Sequence, residues 1–201
     1  DQLKKIGVLA LQGDVREHIF AIEKCEAIAI EVKRPSDLEK VDGLIIPGGE
    51  STTIAKLLRI FDLFEPLQKA LRNGLPVYGS CAGMILLANK IIDGTADRET
   101  LEVIDITVKR NAFGRQVDSF EQELLIPEID DKPFNAIFIR APWIEKMGAD
   151  VKSLADTTSS GGLTHCVLAT SKTVLVSSFH PELSGDLRIH RYFIDKICGI
   201  N

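Results

Sequence analysis

With 201 residues, 45% of them hydrophobic, the chain has enough apolar side chains to bury a full core and fits one large α/β domain spanning 1–201. Its formal charge of -5, with charged residues evenly mixed along the chain, argues against a surface for nucleic acid or an anionic membrane and leaves small molecules or proteins as partners. No stretch approaches a run of about 18 apolar residues, and the apolar run before Gln12 is too short for a signal-peptide core, so a soluble, cytoplasmic protein is expected.

In chain order, "KIGVLAL" and "DGLIIP" are short apolar runs closed by Gly or Pro, the look of strands buried on both faces of a parallel sheet. Between them "DVREHIFAIEKC" carries Val15, Ile19 and Ile22 at helical spacing and gives way to a strand-like "AIAIEV". The βαβ rhythm continues through a helical pair, "TTIAKLLRIFDLFEPLQKALRNG", closed by Gly74, and then a strand "LPVYG" with a helix after Cys81. From about residue 101 strands dominate: "LEVIDITVKR", "SFEQELLI", "FNAIFIR", "THCVLAT" and "TVLVSSF". "DTTSSGG" (156–162) reads as a loop, and "DLRIHRYFIDKI" as a closing helix.

Four cysteines without a CxxC pair, in a chain expected in a reducing compartment, predict free thiols and no zinc site. Cys25, Cys166 and Cys198 lie in or beside apolar stretches and read as small buried hydrophobes. Cys81 differs. In "GSCAG" it stands between a buried strand and a helix, with Gly79 and Gly83 two positions either side, the form of a nucleophile elbow. The helix N-terminus beyond it offers free N–H groups that favour a thiolate and a developing oxyanion. By itself the motif leaves open both a catalytic thiol and a packed turn cysteine.

A nucleophile needs a base. His18 and His190 sit in amphipathic helical segments beside charged neighbours and read as solvated surface residues, while His165, opening a strand, is ambiguous. His180 follows the strand "TVLVSSF" directly, with Glu182 two residues on. On an extended segment both project to one side, so the carboxylate can orient the ring. The third element is "PGGEST" at 47–52, where paired glycines after a strand let backbone N–H groups turn inward as oxyanion donors. An ordinary turn with Ser51 or Thr52 capping the next helix explains the hydroxyls but not the glycines. Elements at the carboxyl ends of buried strands converge on one crevice.

These stretches together resemble the glutaminase subunits of pyridoxal 5′-phosphate synthase, a family of class I (triad) glutamine amidotransferases. The resemblance runs through "GVLALQGDVREH", "VDGLIIPGGESTT", "GSCAGMILLA", "RNAFGRQVDSFE", "FIRAP" and "SFHPEL". It implies an α/β fold with an open, mostly parallel, flavodoxin-like mixed sheet flanked by helices. It also implies hydrolysis of L-glutamine to L-glutamate and ammonia, with Cys81 as nucleophile, His180 as base and Glu182 orienting His180. The backbone of Gly48, Gly49 and Ala82 would supply the oxyanion hole, and Gly49, Glu50, Ser51, Arg110, Ile139 and Arg140 match glutamine-binding positions. Neither cofactor nor metal is expected.

The implied partner is a barrel-shaped synthase subunit that receives the ammonia within a hetero-oligomeric complex. The Gly48–Gly49 peptide can rotate at little steric cost, so its N–H is expected to reach the productive orientation only on docking, with Gln12 transmitting the contact. Gly48→Val is expected to remove that activation without removing binding.

Overall fold

The structure, a computed structural model, describes residues 2–92, 99–114, 117–158 and 161–199. Strands β1 (Lys5–Leu9), β2 (Ile28–Val32), β3 (Gly43–Ile46) and β4 (Val77–Ser80) alternate with helices α1 (Val15–Lys24), α2 (Ser51–Ile60) and α3 (Phe64–Arg72), with a 3-10 turn at Pro35–Lys40. Helix α4 (Ala82–Leu87) runs straight into β5 (Ala88–Ile92). Strands β6 (Ile104–Lys109), β7 (Ser119–Leu124), β8 (Phe134–Ile139), β9 (Trp143–Met147), β10 (Lys152–Thr158), β11 (Thr164–Ser171) and β12 (Val174–Ser177) follow. A 3-10 turn (Pro181–Leu183), α5 (Arg188–Tyr192) and a π-helical turn (Phe193–Ile197) complete the described chain.

Strands β2, β1, β3, β4 and β12 pair side by side, all parallel. The sheet then continues antiparallel through β11 and β9 to β6, with β5 parallel to β6 at the far edge and β10 on the other edge of β11. Strands β7 and β8 form a separate antiparallel ribbon. This is the expected open, mostly parallel, flavodoxin-like mixed sheet flanked by helices.

Its parallel centre forms because β3, β4 and β12 are buried at every residue, as near-continuous apolar runs require. Side chains alternate between two cores. Leu44, Ile46, Val77, Val174 and Val176 pack with α2, α3 and α4 on one face. Ile45, Tyr78 and Leu175 pack on the other with Ile22 of α1 and with Ile189, Phe193, Ile194 and Ile197. The parallel block turns its carboxyl ends to one rim: β1 leads to Gln12, β3 to Gly48, β4 to Cys81 and β12 to His180. Strand order reverses between β1 and β3, the point at which such sheets open a crevice.

The structure departs from the expected elements in the second half. The helix after Cys81 ends at Leu87, where an aliphatic run continuous in character switches to strand β5. Strands β9 and β10 were not evident in the pattern, and β10 extends to Thr158, so the loop expected at 156–162 begins later. Residues 93–98, Arg115, Gln116, Ser159 and Ser160 lie outside the described residues. No helix among the described residues is long and apolar enough to cross a membrane.

Candidate active site

Cys81 occupies a strained elbow, with φ 54° and ψ −101°. Two backbone contacts hold it: its N–H donates to the carbonyl of Ser177 in β12 at 2.8 Å, and its carbonyl accepts from Ile85 at 3.2 Å. The flanking glycines are needed for close approach. A Cβ on Gly79 would stand 2.6 Å from the backbone of Gly83, and one on Gly83 would collide with the carbonyl oxygen of Ile46 in β3. The helix behind the thiol has only six residues. Its contribution is therefore the free N–H groups of its first turn rather than a long dipole.

His180 is set opposite by β12 and by the β7–β8 ribbon, to which its N–H is bonded through Ile137 O at 2.9 Å. Its Nδ1 lies 2.8 Å from Glu182 Oε2 and 3.2 Å from Asp14 Oδ2, and the ring lines the same cavity as the Cys81 thiol. The His180–Glu182 contact does not use the extended geometry expected from the sequence. His180 ends the extended segment and Glu182 lies in the 3-10 turn, which curls the carboxylate back under the ring.

Burial works to lower the His180 pKa, but the neighbouring Asp14, Cys81 and Glu182 outweigh it and push it up to about 12. Burial also pushes the Glu182 carboxyl up, against the pull of the adjacent imidazole. Both directions mean that the pair holds a proton at neutral pH, and Asp14 and Cys81 on the ring favour the imidazole as its carrier. Burial raises Asp14 as well, yet its bonds to His180 and Glu182 and the imidazolium charge bring it below the usual carboxylate range.

Between these groups lies a cavity of about 410 Å³. Cys81, Ala82 and His180 are part of its lining, and so are Gly49, Glu50, Ser51, Arg110, Ile139 and Arg140, with Gln12 and Asp14 beside them. Gly48 and Glu182 stand behind this lining. Glu50, rather than Ser51 or Thr52, caps α2: its carboxylate accepts from the Thr53 N–H at 2.9 Å and the Thr53 hydroxyl at 3.0 Å. Arg110 Nη2 approaches Glu50 Oε1 at 3.5 Å, pairing a cation and an anion on the cavity wall. Arg140 sits at the rim with φ 42°, its N–H donating to Asp118 O at 2.6 Å and its guanidinium largely exposed, 3.7 Å from the Asp118 carboxylate. The Cys81 sulfur is 3.9 Å from the Ile139 carbonyl.

Residues 8–199 match the model of the SNO glutamine amidotransferase family. The chain belongs to the SNO glutamine amidotransferase family. It is 55% identical over 197 residues to pyridoxal 5′-phosphate synthase subunit PdxT of Rhodococcus opacus (strain B4), covering 97% of this chain and 98% of that protein. A solved structure described as a glutamine amidotransferase superposes with a TM-score of 0.87 at 44% identity, covering 97% of this chain and 99% of that one. PurLQS of Thermotoga maritima, at 14% identity and TM-score 0.66 over 96% of this chain and 99% of that one, shares the fold.

Within this SNO family chain the remaining cysteines and histidines lie away from the cavity. All four thiols are free. Burial pushes Cys166 up to about 11 and Cys198 up to about 12, and raises Cys25, so none is primed as a nucleophile. His165 is stacked on Trp143, ring centroids 3.5 Å apart and 6° from parallel. The expectation for His18 and His190 is corrected: both are wholly buried, and they touch each other, Nδ1 of His18 to Nε2 of His190, at 2.9 Å. Nearby Arg16 and Arg191 are exposed, but each histidine lies on the inner stripe of its helical segment. The spacing Val15, His18, Ile22 carried that signal.

Asp14 is the site residue that the sequence reading left without a role. Its position in the β1–α1 turn gave no cue, because the contact that matters spans the chain to His180. Among the described residues, Asp14, His180 and Glu182 alone group as possible metal ligands, within 4.8 Å of one another. A cation there would take the ring nitrogen that Glu182 holds, which opposes thiol chemistry.

Proposed function

We propose that this chain is the glutaminase of a pyridoxal 5′-phosphate synthase, hydrolysing L-glutamine to L-glutamate and ammonia through a cysteinyl thioester. The whole chain, 1–201, acts as one amidotransferase domain in the cytoplasm, where its free thiols persist. The observation that carries the reading is the line formed at the ends of adjacent strands β4 and β12: a thiol in a strained elbow, an imidazole facing it across the same cavity, and a buried carboxylate 2.8 Å behind that imidazole.

With the thiol proton held on the His180 imidazole, the Cys81 sulfur attacks the side-chain amide carbon of glutamine. As the C–N bond breaks, His180 returns the proton to the departing ammonia. Water then attacks the γ-glutamyl thioester with His180 taking its proton, the C–S bond breaks, and glutamate leaves with the thiol restored. Glu182 holds the ring by Nδ1. Backbone N–H groups of Gly48, Gly49 and Ala82 receive the oxyanion. Glu50, Ser51 and the Ile139 carbonyl suit the substrate's ammonium end, and Arg110 and Arg140 its α-carboxylate, Arg140 by turning inward from the rim.

Ammonia released into water would be lost to any coupled synthesis. The reading therefore includes a barrel-shaped synthase subunit docked over the crevice in a hetero-oligomeric complex. Support comes from the likeness to PdxT proteins over nearly the full chain. Co-purification with a candidate synthase subunit, with glutaminase assays on each protein and on the mixture, tests it. Activity that appears or rises in the mixture is expected, and failure to associate would contradict the partner.

A further inference from the structure

The thiol chemistry uses one oxygen of Glu182, and the other points into the protein. Oε2 meets His180, while Oε1 has Ser80 Oγ at 3.4 Å and His18 Nε2 at 3.5 Å. The side chains of His18 and Glu182 are both fully buried. Behind His18 stands His190, Nε2 to Nδ1 at 2.9 Å, with its own Nδ1 in contact with no polar group among the described residues. Tyr78, wholly buried, sets its ring edge-on to both imidazoles, at 6.3 and 6.2 Å between centroids. The result is a line of four ionisable groups, His190, His18, Glu182 and His180, running from the core to the thiol.

The position of the protons follows from the geometry. A neutral imidazole carries one N–H and one bare nitrogen. If His18 donated from Nδ1 to His190, its bare Nε2 would face the Glu182 carboxylate, lone pair against negative charge between two fully buried side chains. If His190 donates from Nε2, the His18 proton sits on Nε2 and its positive end faces Oε1. Neither His18 Nε2 nor His190 Nδ1 has a hydrogen-bond partner among the described residues, and the second arrangement puts the bare nitrogen on His190, away from any charge, and the proton on the His18 nitrogen that faces the carboxylate. At 3.5 Å the His18–Glu182 contact is longer than a formed hydrogen bond and acts through charge.

Resting on the triad reading above, we infer that His18 is a positioning residue for the reaction: through Nε2–H it fixes the plane of the Glu182 carboxylate so that Oε2 stays on His180, and His190 fixes the His18 tautomer. A carboxylate held only through Oε2 could rotate about its last bond and share His180 Nδ1 less evenly with Asp14, which lies 3.2 Å from that nitrogen. Ser80 and His18 on Oε1 remove that freedom.

The test is a double-mutant cycle on glutamine hydrolysis, assayed with and without the synthase partner. Asn at 18 keeps a polar atom near His190 but does not reach Glu182, whereas Gln carries its amide N–H to the Nε2 position. His18→Asn is expected to lower kcat about tenfold with KM for glutamine unchanged, and His18→Gln to recover most of the loss. In a Glu182→Gln background His18→Asn is expected to cost nothing further, because its effect passes through Glu182. Equal losses in both backgrounds, or wild-type kcat in His18→Asn, would overturn the inference while leaving the triad intact. Wild-type kcat in Glu182→Gln alone would overturn the triad reading and the inference with it. Should the His18 variants not fold, nitrogen NMR of histidine-labelled wild-type protein decides: Nε2–H tautomers at both His18 and His190 support the inference, and an Nδ1–H tautomer at His18 overturns it.

Discussion

Asp14 Oδ2 lies 3.2 Å from His180 Nδ1, on the same ring nitrogen that Glu182 Oε2 meets at 2.8 Å. Two carboxylates on one imidazole nitrogen bias the ring strongly toward its protonated form, which is the form that must hand a proton to departing ammonia. With His180 pushed up to about 12, wild-type kcat is expected to stay flat through mildly alkaline pH. Asp14→Asn removes one of the groups that raise this pKa, so the alkaline limb moves to lower pH and comes into view. At neutral pH the loss is expected to be less than about tenfold, since Glu182 still holds the ring. A pH–rate profile of each protein measures this, and superimposable profiles would contradict it.

Gly48 packs against the base itself. A Cβ there would collide with His180 Cε1 and stand 2.9 Å from Nδ1. This corrects the expectation that Gly48→Val isolates partner activation: any side chain at 48 displaces the imidazole. Gly48→Ala is expected to lose at least about a hundredfold in kcat, partner present or not, in a protein that still melts cooperatively. Retention of kcat within threefold would refute the contact. The Gly48–Gly49 peptide is also not free in this structure, because the Gly48 carbonyl accepts from the Asp14 N–H at 2.9 Å. Rotation breaks one backbone hydrogen bond, a net cost of about 1 kcal/mol that a docked partner readily offsets.

The buried histidine pair sets an acid limit on stability. Burial lowers the His190 pKa to about 4, and burial together with the nearby His190 and His180 brings His18 well below its ordinary value. In the unfolded chain both titrate near 6.5, so between about 6.5 and 4 the unfolded state binds more protons and stability rises with pH. The contribution is fully present above about pH 6.5 and is lost as pH falls toward 4, on the order of 3 kcal/mol from His190 alone. Urea unfolding across this window should show a shallower pH slope in His190→Gln than in wild type. Identical slopes would mean that the pair does not control acid stability.

Much of this architecture was legible in local pattern. Continuous apolar runs marked β1, β3, β4 and β12, and the paired glycines around Cys81 and at 48–49 marked where those strands turn into the crevice. What local pattern could not carry was contact across the chain. Asp14 gains its role from His180, 166 positions away, and His18 from His190, 172 positions away. Charged neighbours pulled the reading of both buried histidines toward solvent, although their spacing with Ile22 and with Phe193, Ile194 and Ile197 put them on apolar stripes. Strand β5 was hidden because "ILLANKII" continues an aliphatic run across the switch from α4 to β5, and β9 and β10 because their exposed edges dilute the alternation.

Orientation of the base separates the two triad partners in size of effect. His180→Asn removes the imidazole that carries the proton from thiol to ammonia, and a loss of at least about a thousandfold in kcat is expected. Glu182→Gln keeps the imidazole and should lose less. Steady-state kinetics with glutamine checks the order, and a larger loss in Glu182→Gln than in His180→Asn would contradict it.

The central claim is that Cys81 is the nucleophile, and the most direct measurement is mass spectrometry of the protein after exposure to a glutamine-analogue electrophile, paired with the glutaminase rate of Cys81→Ser. The account expects one adduct, on Cys81, with Cys25, Cys166 and Cys198 unlabelled because burial raises all three thiols. It expects Cys81→Ser to fold normally and to hydrolyse no glutamine above background. An adduct on another cysteine, or turnover by Cys81→Ser within tenfold of wild type, would contradict it.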